Sequence, residues 1–264
     1  LDLACNGHFG TSLSFPGAAP INIGLLSPIT GPIAVYAPGF TIAANVAIGY
    51  MNTIQPLNFQ FSVTIADSGC DGTTAATGAQ SLIDAGVVGI AGAACSGATL
   101  GAIEVAKAAG VPMVSYASTS PAITNYDDDG YLFRVVPSDA QQGAALADTY
   151  AASGYENPAL ISMTNDYGAG FADAFKANHD GDLCAEATYA DGTTDFTSQV
   201  AAVADNDCDS VVMITYATDG ATIVEEIATQ GLEVAIFGGD GIADVSFGNA
   251  FTDISAISGI TATK

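Results

Sequence analysis

Two hydroxyl residues and one acid stand where a sheet protein commonly binds a small charged ligand. Ser96 comes shortly after the apolar run VVGIAG and directly before a predicted helix over Gly97–Ala109. Thr119 follows the run VPMVSYA, and Asp240 lies between two glycines after another apolar run. Hydroxyl groups and helix N-terminal N–H groups hold a carboxylate, whereas a carboxylate side chain pairs with an ammonium. Together these residue types match both ends of a free α-amino acid.

Four further residues lie in loops of the same kind. Ala117 offers a backbone carbonyl to the ammonium, and three tyrosines combine an apolar ring face with a hydroxyl. The full set of candidate ligand contacts is Tyr36, Ser96, Ala117, Thr119, Tyr167, Tyr216 and Asp240. Each candidate also has a purely structural interpretation. Ser96 is a natural helix N-cap, Thr119 and Asp240 are natural turn residues, and the tyrosines can simply pack.

Apolar β-branched runs alternate with helical stretches from Ile21 onwards, which predicts an α/β fold with parallel sheets and right-handed crossovers. The alternation restarts after Pro137-Ser138. We therefore predict an extension over residues 1–20, a first lobe over 21–136 and a second lobe over 137–264. Strand-to-helix loops of a parallel sheet emerge on one side, where open sheets bind ligands. Two Rossmann-like lobes facing each other across a cleft are the predicted architecture.

Charge and hydropathy exclude several kinds of partner. The 264 residues include 28 Asp and Glu against 4 Lys and Arg, a net charge of −24. A nucleic-acid-binding surface needs a basic patch, and an anionic membrane repels so acidic a chain, so neither is an expected partner. Such an acidic shell keeps a protein soluble, including in a salty medium that screens its repulsion. No uninterrupted apolar run of about 18 residues occurs, so no transmembrane helix is predicted.

The five cysteines indicate an oxidising compartment. Cys70 and Cys95 bracket one βα stretch, and Cys184 and Cys208 bracket another, so each pair could form a disulfide within one lobe. A metal site built from these four cysteines is the alternative, although no Cys-x-x-Cys spacing occurs. Cys5 is left over, as a lipidation site, an intermolecular bridge or a free thiol. No basic segment precedes an apolar one, so we expect any signal peptide to have been removed already.

Catalytic signatures are scarce. The two histidines, His8 and His179, lie in the predicted extension and at an expected helix end. Neither a Gly-x-Ser-x-Gly elbow nor a nucleotide-binding glycine motif is present. The loop Asn125–Gly130 begins like an EF-hand, but Val136 stands where the bidentate glutamate is needed. We therefore predict no enzyme, no catalytic residue, no metal and no cofactor.

Seven stretches, found in order along the chain, carry a family resemblance. They are GLLSPITGPIAVYAPGF, DSGCDGTTAATGAQSLIDAGVVGIAGAACSGAT, PMVSYASTSPAIT, FRVVPSDAQQG, NDYGAGFADAF, TDFTSQVAAV and IFGGDGIADVSFGNAF. From about Ile21 to Lys264 the sequence resembles the type I periplasmic solute-binding proteins, in the branch of the leucine/isoleucine/valine-binding protein. Family members continue beyond the segment Gly259–Lys264, so the resemblance implies that the C-terminal part of the fold is missing here and that the intact protein is longer.

The resemblance implies a monomeric, periplasmic or extracellular receptor that delivers a small amino acid or analogue to the membrane permease of an ABC importer. Whether such a receptor carries a membrane anchor stays open. The same fold also serves for an amide, a urea or a small carboxylate as ligand, or as the ligand-binding ectodomain of a sensor. An enzyme and a structural protein with Cys5 as a cross-linking point are further alternatives.

The resemblance also assigns roles to individual residues. It implies a disulfide between Cys70 and Cys95, carboxylate contacts from Ser96 and Thr119, and an ammonium contact from the Ala117 carbonyl. The three candidate tyrosines are expected to border the ligand.

Two departures from the branched-chain binder bear on the ligand. Asp240 stands where that protein has a glutamate, so the charge is kept with a shorter reach. Ala93-Ala94 replace a bulkier pair. Both departures predict a different or wider pocket than one made for branched-chain amino acids.

Overall fold

Two five-stranded parallel sheets form the framework of the chain in a computed structural model that describes residues 20–54, 60–251 and 254–264. The predicted α/β fold with two lobes is confirmed. Here the first lobe means the part built on the first sheet, and the second lobe the part built on the second sheet. The exact boundary between residues 136 and 137 stays a prediction. The predicted extension, with Cys5 and His8, lies outside the described residues except for Pro20.

The first sheet has the strand order β2-β1-β3-β4-β5. Its strands are β1 Ile21–Ser27, β2 Phe61–Asp67, β3 Ile90–Ala91, β4 Met113–Ser115 and β5 Leu132–Arg134. Its helices are α1 Ala37–Ile54, α2 Gly72–Asp84, α3 Ser96–Ala108 and α4 Pro121–Thr124. Helices α2 and α3 pack so closely that a Cβ at Gly101 would lie 2.3 Å from the carbonyl oxygen of Gly72. Small residues on both helices allow this approach and bring their N-terminal ends together.

The second sheet has the strand order β10-β9-β8-β6-β7. Its strands are β6 Pro158–Met163, β7 Ala185–Tyr189, β8 Ser210–Ile214, β9 Ala235–Gly238 and β10 Thr261–Ala262. Its helices are α5 Asp139–Ala151, α6 Asp166–Asn178, α7 Thr197–Asp205, α8 Ala217–Thr229 and α9 Val245–Asn249. Every residue of β6 and β8 is buried. Continuous burial of this kind is typical of parallel strands covered by helices on both faces.

Side chains before the helices fix where several of them begin. Asp71 caps α2, because its carboxylate accepts the N–H groups of Thr73 and Thr74, each at 2.9 Å. Ser138 caps α5 in the same way, and Asn165 caps α6. Such caps satisfy N–H groups that have no partner within the helix. They set the positions at which the strand-to-helix loops end.

Helix α1 exposes much of its apolar surface. Ile42 and Val46 are 64% and 65% exposed. The stretch Ala34–Ile54 is long and apolar enough to cross a membrane by length and composition alone. The sequence criterion of an uninterrupted apolar run missed this stretch, because polar residues such as Asn45 interrupt the run without offsetting its mean hydropathy; the absence of a transmembrane helix stays a prediction. A signal sequence and the mostly buried core helix of a soluble protein pass the same test. Only 6% of this stretch is buried, and α1 contacts β1 and β2.

The cysteines form two disulfides, one in each lobe. Cys70 bonds to Cys95, and Cys184 bonds to Cys208. The metal site considered as an alternative for these cysteines is thereby ruled out. Across residues 20–54, 60–251 and 254–264, no group of three or more His, Cys, Asp or Glu residues is placed to hold a metal ion.

Replacing Cys184 and Cys208 together by serine is expected to lower the free energy of unfolding by about 3 kcal/mol. The bridge spans 24 residues, and cutting it returns conformational entropy to the unfolded chain. Urea denaturation of the oxidised protein and the double variant measures the difference. An unchanged unfolding midpoint and slope would show that this disulfide does not stabilise the fold.

Candidate functional site

All seven predicted ligand contacts line one cleft between the two lobes, with a cavity volume of about 360 Å³. The first lobe contributes Tyr36, Ser96, Ala117 and Thr119, and the second lobe contributes Tyr167, Tyr216 and Asp240. Four of them stand in loops after parallel strands, as the sequence predicted, whereas Ser96 and Tyr167 belong to the first turns of α3 and α6 and Tyr36 ends a short 3-10 helix. The volume lies within the range of about 300–1,000 Å³ that is typical of pockets for small organic molecules.

One wall of the cleft is built to attract an anion. Ser96 is the first residue of α3 and is only 2% exposed. The N-cap position belongs to Cys95, and no side chain caps this helix, so the interpretation of Ser96 as an ordinary N-cap is wrong. Instead, its hydroxyl accepts the N–H of Ser120 at 3.2 Å. The first turn of α3 holds no acidic residue of its own, and the positive helix end favours an anion. An acid of the second lobe, Asp166, lies close to this end, since a Cβ at Gly97 would lie 2.8 Å from its Oδ2.

A buried hydroxyl network holds the loop that carries Ala117 and Thr119. Ser118 Oγ lies 2.7 Å from Thr99 Oγ1, and Ser115 Oγ donates to the carbonyl of Ala93 at 2.7 Å. Ala93 therefore belongs to this network and is fully buried, whereas its neighbour Ala94 lines the cleft. Of the two small residues expected to widen the pocket, only Ala94 borders it.

The opposite wall carries the acid. Asp240 Oδ1 accepts the hydroxyl of Tyr167 at 2.9 Å, and the Tyr167 oxygen accepts the N–H of Gly241 at 3.2 Å. Burial raises the pKa of Asp240, and the hydrogen bond from Tyr167 partly offsets this effect. The ring of Tyr167 stacks on that of Tyr216, with centroids 5.3 Å apart and an interplanar angle of 10°. The acid is thus held in place beside two aromatic faces.

A second buried acid, Asp139, is the functional candidate that the sequence did not reveal. It is 0% exposed, and neither of its carboxylate oxygens has a hydrogen-bond partner within the described part of the chain. Burial is the main reason why its pKa is raised to about 7, and the charge of Asp240 raises the pKa further. The nearby Thr119 hydroxyl and the charge of Arg134 lower it. The Arg134 guanidinium donates instead to the carbonyls of Thr119 and Ser120, at 3.1 and 2.9 Å. Asp139 therefore remains an acid without a bonded cation.

The signal for Asp139 was ambiguous in the sequence. An acidic residue directly after a capping serine normally lies in solvent and interacts favourably with the helix dipole. Here Asp139 alone faces inward and is buried, while Ala140 and Gln141 in the same turn of α5 stay exposed. Long-range packing of this kind has no local sequence signature.

The cleft is closed at its mouth by contacts between the lobes. The Tyr36 hydroxyl donates to Asp244 Oδ1 at 3.1 Å and also contacts Ser246 Oγ. Asp244 in turn lies 4.0 Å from Lys264 Nζ, and both residues line the cleft. None of Asp244, Ser246 and Lys264 was predicted to lie at the site. The hydroxyl of Tyr36 is therefore engaged by the second lobe, and its ring borders the cavity.

Comparisons with known proteins agree with this architecture. A family model described as periplasmic binding protein matches residues 20–250. The chain is 25% identical over 255 residues to a protein of Brucella melitensis named Leu/Ile/Val-binding protein homolog 3, covering 94% of this chain and 69% of that one. It is 28% identical over 231 residues to a chemotactic signal transduction system substrate-binding protein of Halobacterium salinarum. This match covers 82% of this chain and 55% of that protein.

A solved structure is similar over most of the chain. It is the branched-chain amino acid transporter substrate binding protein LivJ from Streptococcus pneumoniae in complex with isoleucine. The TM-score is 0.79 and the sequence identity 28%, covering 89% of this chain and 68% of that one. The chain thus spans between 55% and 69% of the length of these three proteins.

Proposed function

Because the chain belongs to the periplasmic binding protein family, we propose that it is an extracytoplasmic receptor for a small amino acid-like zwitterion. The ligand lies between the two lobes and is passed to the membrane permease of an ABC importer. The receptor acts as a monomer in the periplasm or outside the cell, without nucleic acid. The family is one of solute-binding proteins, and the proposal gives the chain no catalytic residue and no cofactor.

The separation of charge across the cleft carries the proposal. The uncapped N-terminus of α3 and the Ser96 hydroxyl stand on one wall, and Asp240 stands on the other. A carboxylate is stabilised by the helix N–H groups and hydroxyls, while an ammonium forms a charge-assisted hydrogen bond with Asp240. Ala117 and Thr119 also line the cleft, and we assign the Thr119 hydroxyl to the carboxylate and the Ala117 carbonyl to the ammonium. A free α-amino acid satisfies every part of this arrangement at once.

Asp139 strengthens the case for a cationic group in the ligand. A buried carboxylate without a partner is costly, and a cation that approaches it removes that cost. The charge of Asp240 raises the pKa of Asp139, and the charge of Asp139 raises the pKa values of Tyr167 and Tyr216. These interactions support a role for Asp139 behind the acidic wall, although it does not line the cavity. We assign the ammonium to both acids, with Asp240 as the direct contact. Binding of the cation then favours the ionised form of Asp139.

The other residues that line the cleft indicate what kind of side chain the ligand carries. Ile33, Tyr36, Phe40 and Ala94 line the cavity, and Phe40 packs on Tyr116 with ring centroids 4.6 Å apart. These surfaces are apolar and aromatic, so they favour an apolar side chain. Ala94 leaves room beside them. The structure with isoleucine shows that a similar chain takes a branched-chain ligand, and the small residue here favours a side chain at least as large, aromatic ones included.

Isothermal calorimetry against the twenty protein amino acids tests the proposal directly. We expect micromolar or tighter binding of one amino acid or a small group with apolar side chains, and no binding of their decarboxylated amines. Circular dichroism and a cooperative urea transition establish in the same samples that the protein is folded. A folded protein that binds none of the amino acids would refute the proposed ligand class.

A sensor is the second candidate function, because the Halobacterium salinarum relative is named as part of a chemotactic system. In that case the same amino acid binds, but the bound receptor contacts a signalling protein rather than a permease. Deletion of the gene separates the two functions. Loss of uptake of the radiolabelled amino acid supports the importer, whereas loss of chemotaxis with normal uptake supports the sensor.

Replacing Tyr36 by phenylalanine is expected to accelerate ligand dissociation about fivefold, because the closed form loses about 1 kcal/mol with the hydroxyl contacts to Asp244 and Ser246. Stopped-flow measurement with the amino acid found by calorimetry gives the rate. Tyr50→Phe, on the exposed surface of α1, is the matched control. Equal dissociation rates for the two variants would show that the Tyr36 hydroxyl does not hold the cleft closed.

A further inference from the structure

The Cys70–Cys95 disulfide forms part of the wall of the cleft. Cys95 lines the cavity and directly precedes Ser96, while Cys70 directly precedes Asp71, the cap of α2. The bridge therefore ties together the starts of α2 and α3. Cys70 and Cys95 are only 7% and 5% exposed. Both sulfurs are shielded while the lobes are closed.

A tyrosine of the second lobe covers this disulfide. The Tyr216 oxygen lies 3.7 Å from Cys70 Sγ, and because a disulfide sulfur carries no proton, the hydroxyl is the donor. Tyr216 stacks on Tyr167, and the Tyr167 hydroxyl donates to Asp240. A continuous series of contacts thus joins the disulfide of one lobe to the proposed ammonium-binding acid of the other. Opening the cleft must break the contact between Tyr216 and the sulfur.

The second disulfide has none of these contacts and serves as an internal control. Cys184 and Cys208 both belong to the second lobe, and neither lines the cleft. Cys208 packs in the core of that lobe, with Cys184 partly buried against it. Opening and closing of the cleft leaves the surroundings of this bridge unchanged.

We infer that the Cys70–Cys95 disulfide is a redox-sensitive element of the ligand site: closure around a ligand shields it from an external dithiol, and its reduction weakens ligand binding. The inference rests on the function proposed above. Reduction frees Cys95, which positions Ser96 and the start of α3, and it removes the sulfur surface on which Tyr216 rests.

The reaction is ordinary thiol–disulfide exchange. A thiolate of the dithiol attacks one sulfur, forms a mixed disulfide and releases the other cysteine, which takes up a proton. The second thiol of the reductant then displaces the remaining cysteine and closes a cyclic disulfide. Two electrons pass from the dithiol to the protein, and both cysteines end as thiols. The rate depends on access of the reductant to the sulfurs, so it reports how often the cleft opens.

The first experiment compares the reduction rates of the two disulfides in one sample. The folded protein is treated with dithiothreitol, quenched by alkylation at intervals, and analysed by peptide mass spectrometry. An equimolar mixture of the protein amino acids other than cysteine, whose thiol would itself reduce disulfides, is expected to slow reduction of Cys70–Cys95 by about tenfold or more, in proportion to the fraction of molecules that stay open. The rate at which Cys184–Cys208 is reduced is expected to stay unchanged. If calorimetry shows that the mixture binds and Cys70–Cys95 is still reduced at the same rate as without it, the inference is overturned.

The second experiment needs no ligand, which separates failure of this inference from failure of the proposed function. Tyr216→Ala removes the cover over Cys70 Sγ. We expect dithiothreitol to reduce Cys70–Cys95 several times faster in the variant than in the unaltered protein, with the rate for Cys184–Cys208 equal in both. Equal rates for Cys70–Cys95 contradict the inference even where no amino acid binds.

The third experiment measures the effect on affinity. The protein is folded in its oxidised form, and Cys70–Cys95 is then reduced and kept reduced under anaerobic conditions while Cys184–Cys208 stays intact. No alkylating agent is added, because an alkyl group on Cys95 would fill the cavity that it lines. Calorimetry with the amino acid mixture is expected to show affinity about tenfold weaker, because the rigid start of α3 is lost. The double variant Cys184→Ser with Cys208→Ser is the control and keeps its affinity. Undiminished affinity of the folded, selectively reduced protein overturns the inference.

Discussion

Replacing Asp240 by alanine is expected to weaken binding of the amino acid by about 100-fold or more. Truncating one partner of a buried, hydrogen-bonded charge pair costs about 2–5 kcal/mol, since the other charge stays buried without a partner. Asp240 is partly buried, and its carboxylate is oriented by Tyr167 and the backbone of Gly241. Calorimetry of the variant and the unaltered protein measures the loss.

Asp173→Ala is the matched control for the change in net charge. Asp173 lies on α6, and its side chain is 77% exposed. Its replacement is expected to leave the affinity unchanged within error. If Asp240→Ala binds as tightly as this control, the ligand carries no ammonium at that wall. A neutral amide or urea, or a small carboxylate, then becomes the better candidate for the cleft.

Replacing Asp139 by asparagine is expected to stabilise the ligand-free protein above pH 7 by up to about 4 kcal/mol. Folding raises the pKa of this buried acid from 3.8 to about 7. Between these two values the folded chain holds a proton that the unfolded chain has released, so stability falls as the pH rises through this window. Asparagine has no proton to lose, and the variant escapes this part of the decline.

Urea denaturation at pH 5 and pH 8 tests the prediction. The unaltered protein is expected to lose stability between these two pH values, and the variant much less. Asp148→Asn, on the exposed side of the same helix, is the control and should follow the unaltered protein. A parallel decline in all three proteins would show that Asp139 does not ionise in this range.

The same substitution is expected to act in the opposite direction on the ligand. An ammonium bonded to Asp240 loses the second, nearby charge of Asp139, which lies behind the cavity wall, so affinity at pH 8 should fall by about tenfold. A variant that is more stable but binds its ligand more weakly is the usual result of replacing a functional group that destabilises the fold. It would distinguish Asp139 from a residue that merely maintains the fold.

Much of the fold and most of the candidate cleft followed from local sequence patterns. Asp71 and Ser138 are residue types that favour the N-cap, and this preference is local because it depends on bonds to the next few residues. The loops of the cleft could be located because parallel strands end at a common edge. The burial of Asp139 and the contact between Tyr36 and Asp244 join distant parts of the chain, so they depended on packing that no short segment encodes.

The tyrosines of the cleft have an optical consequence. The chain contains ten tyrosines and no tryptophan, so its ultraviolet emission comes from tyrosine alone. Tyr36, Tyr167 and Tyr216 all border the cavity, and the last of these touches a sulfur. A ligand that enters the cleft changes the surroundings of these three tyrosines and therefore their fluorescence. Ligand binding can therefore be followed by the intrinsic tyrosine fluorescence of the unlabelled protein.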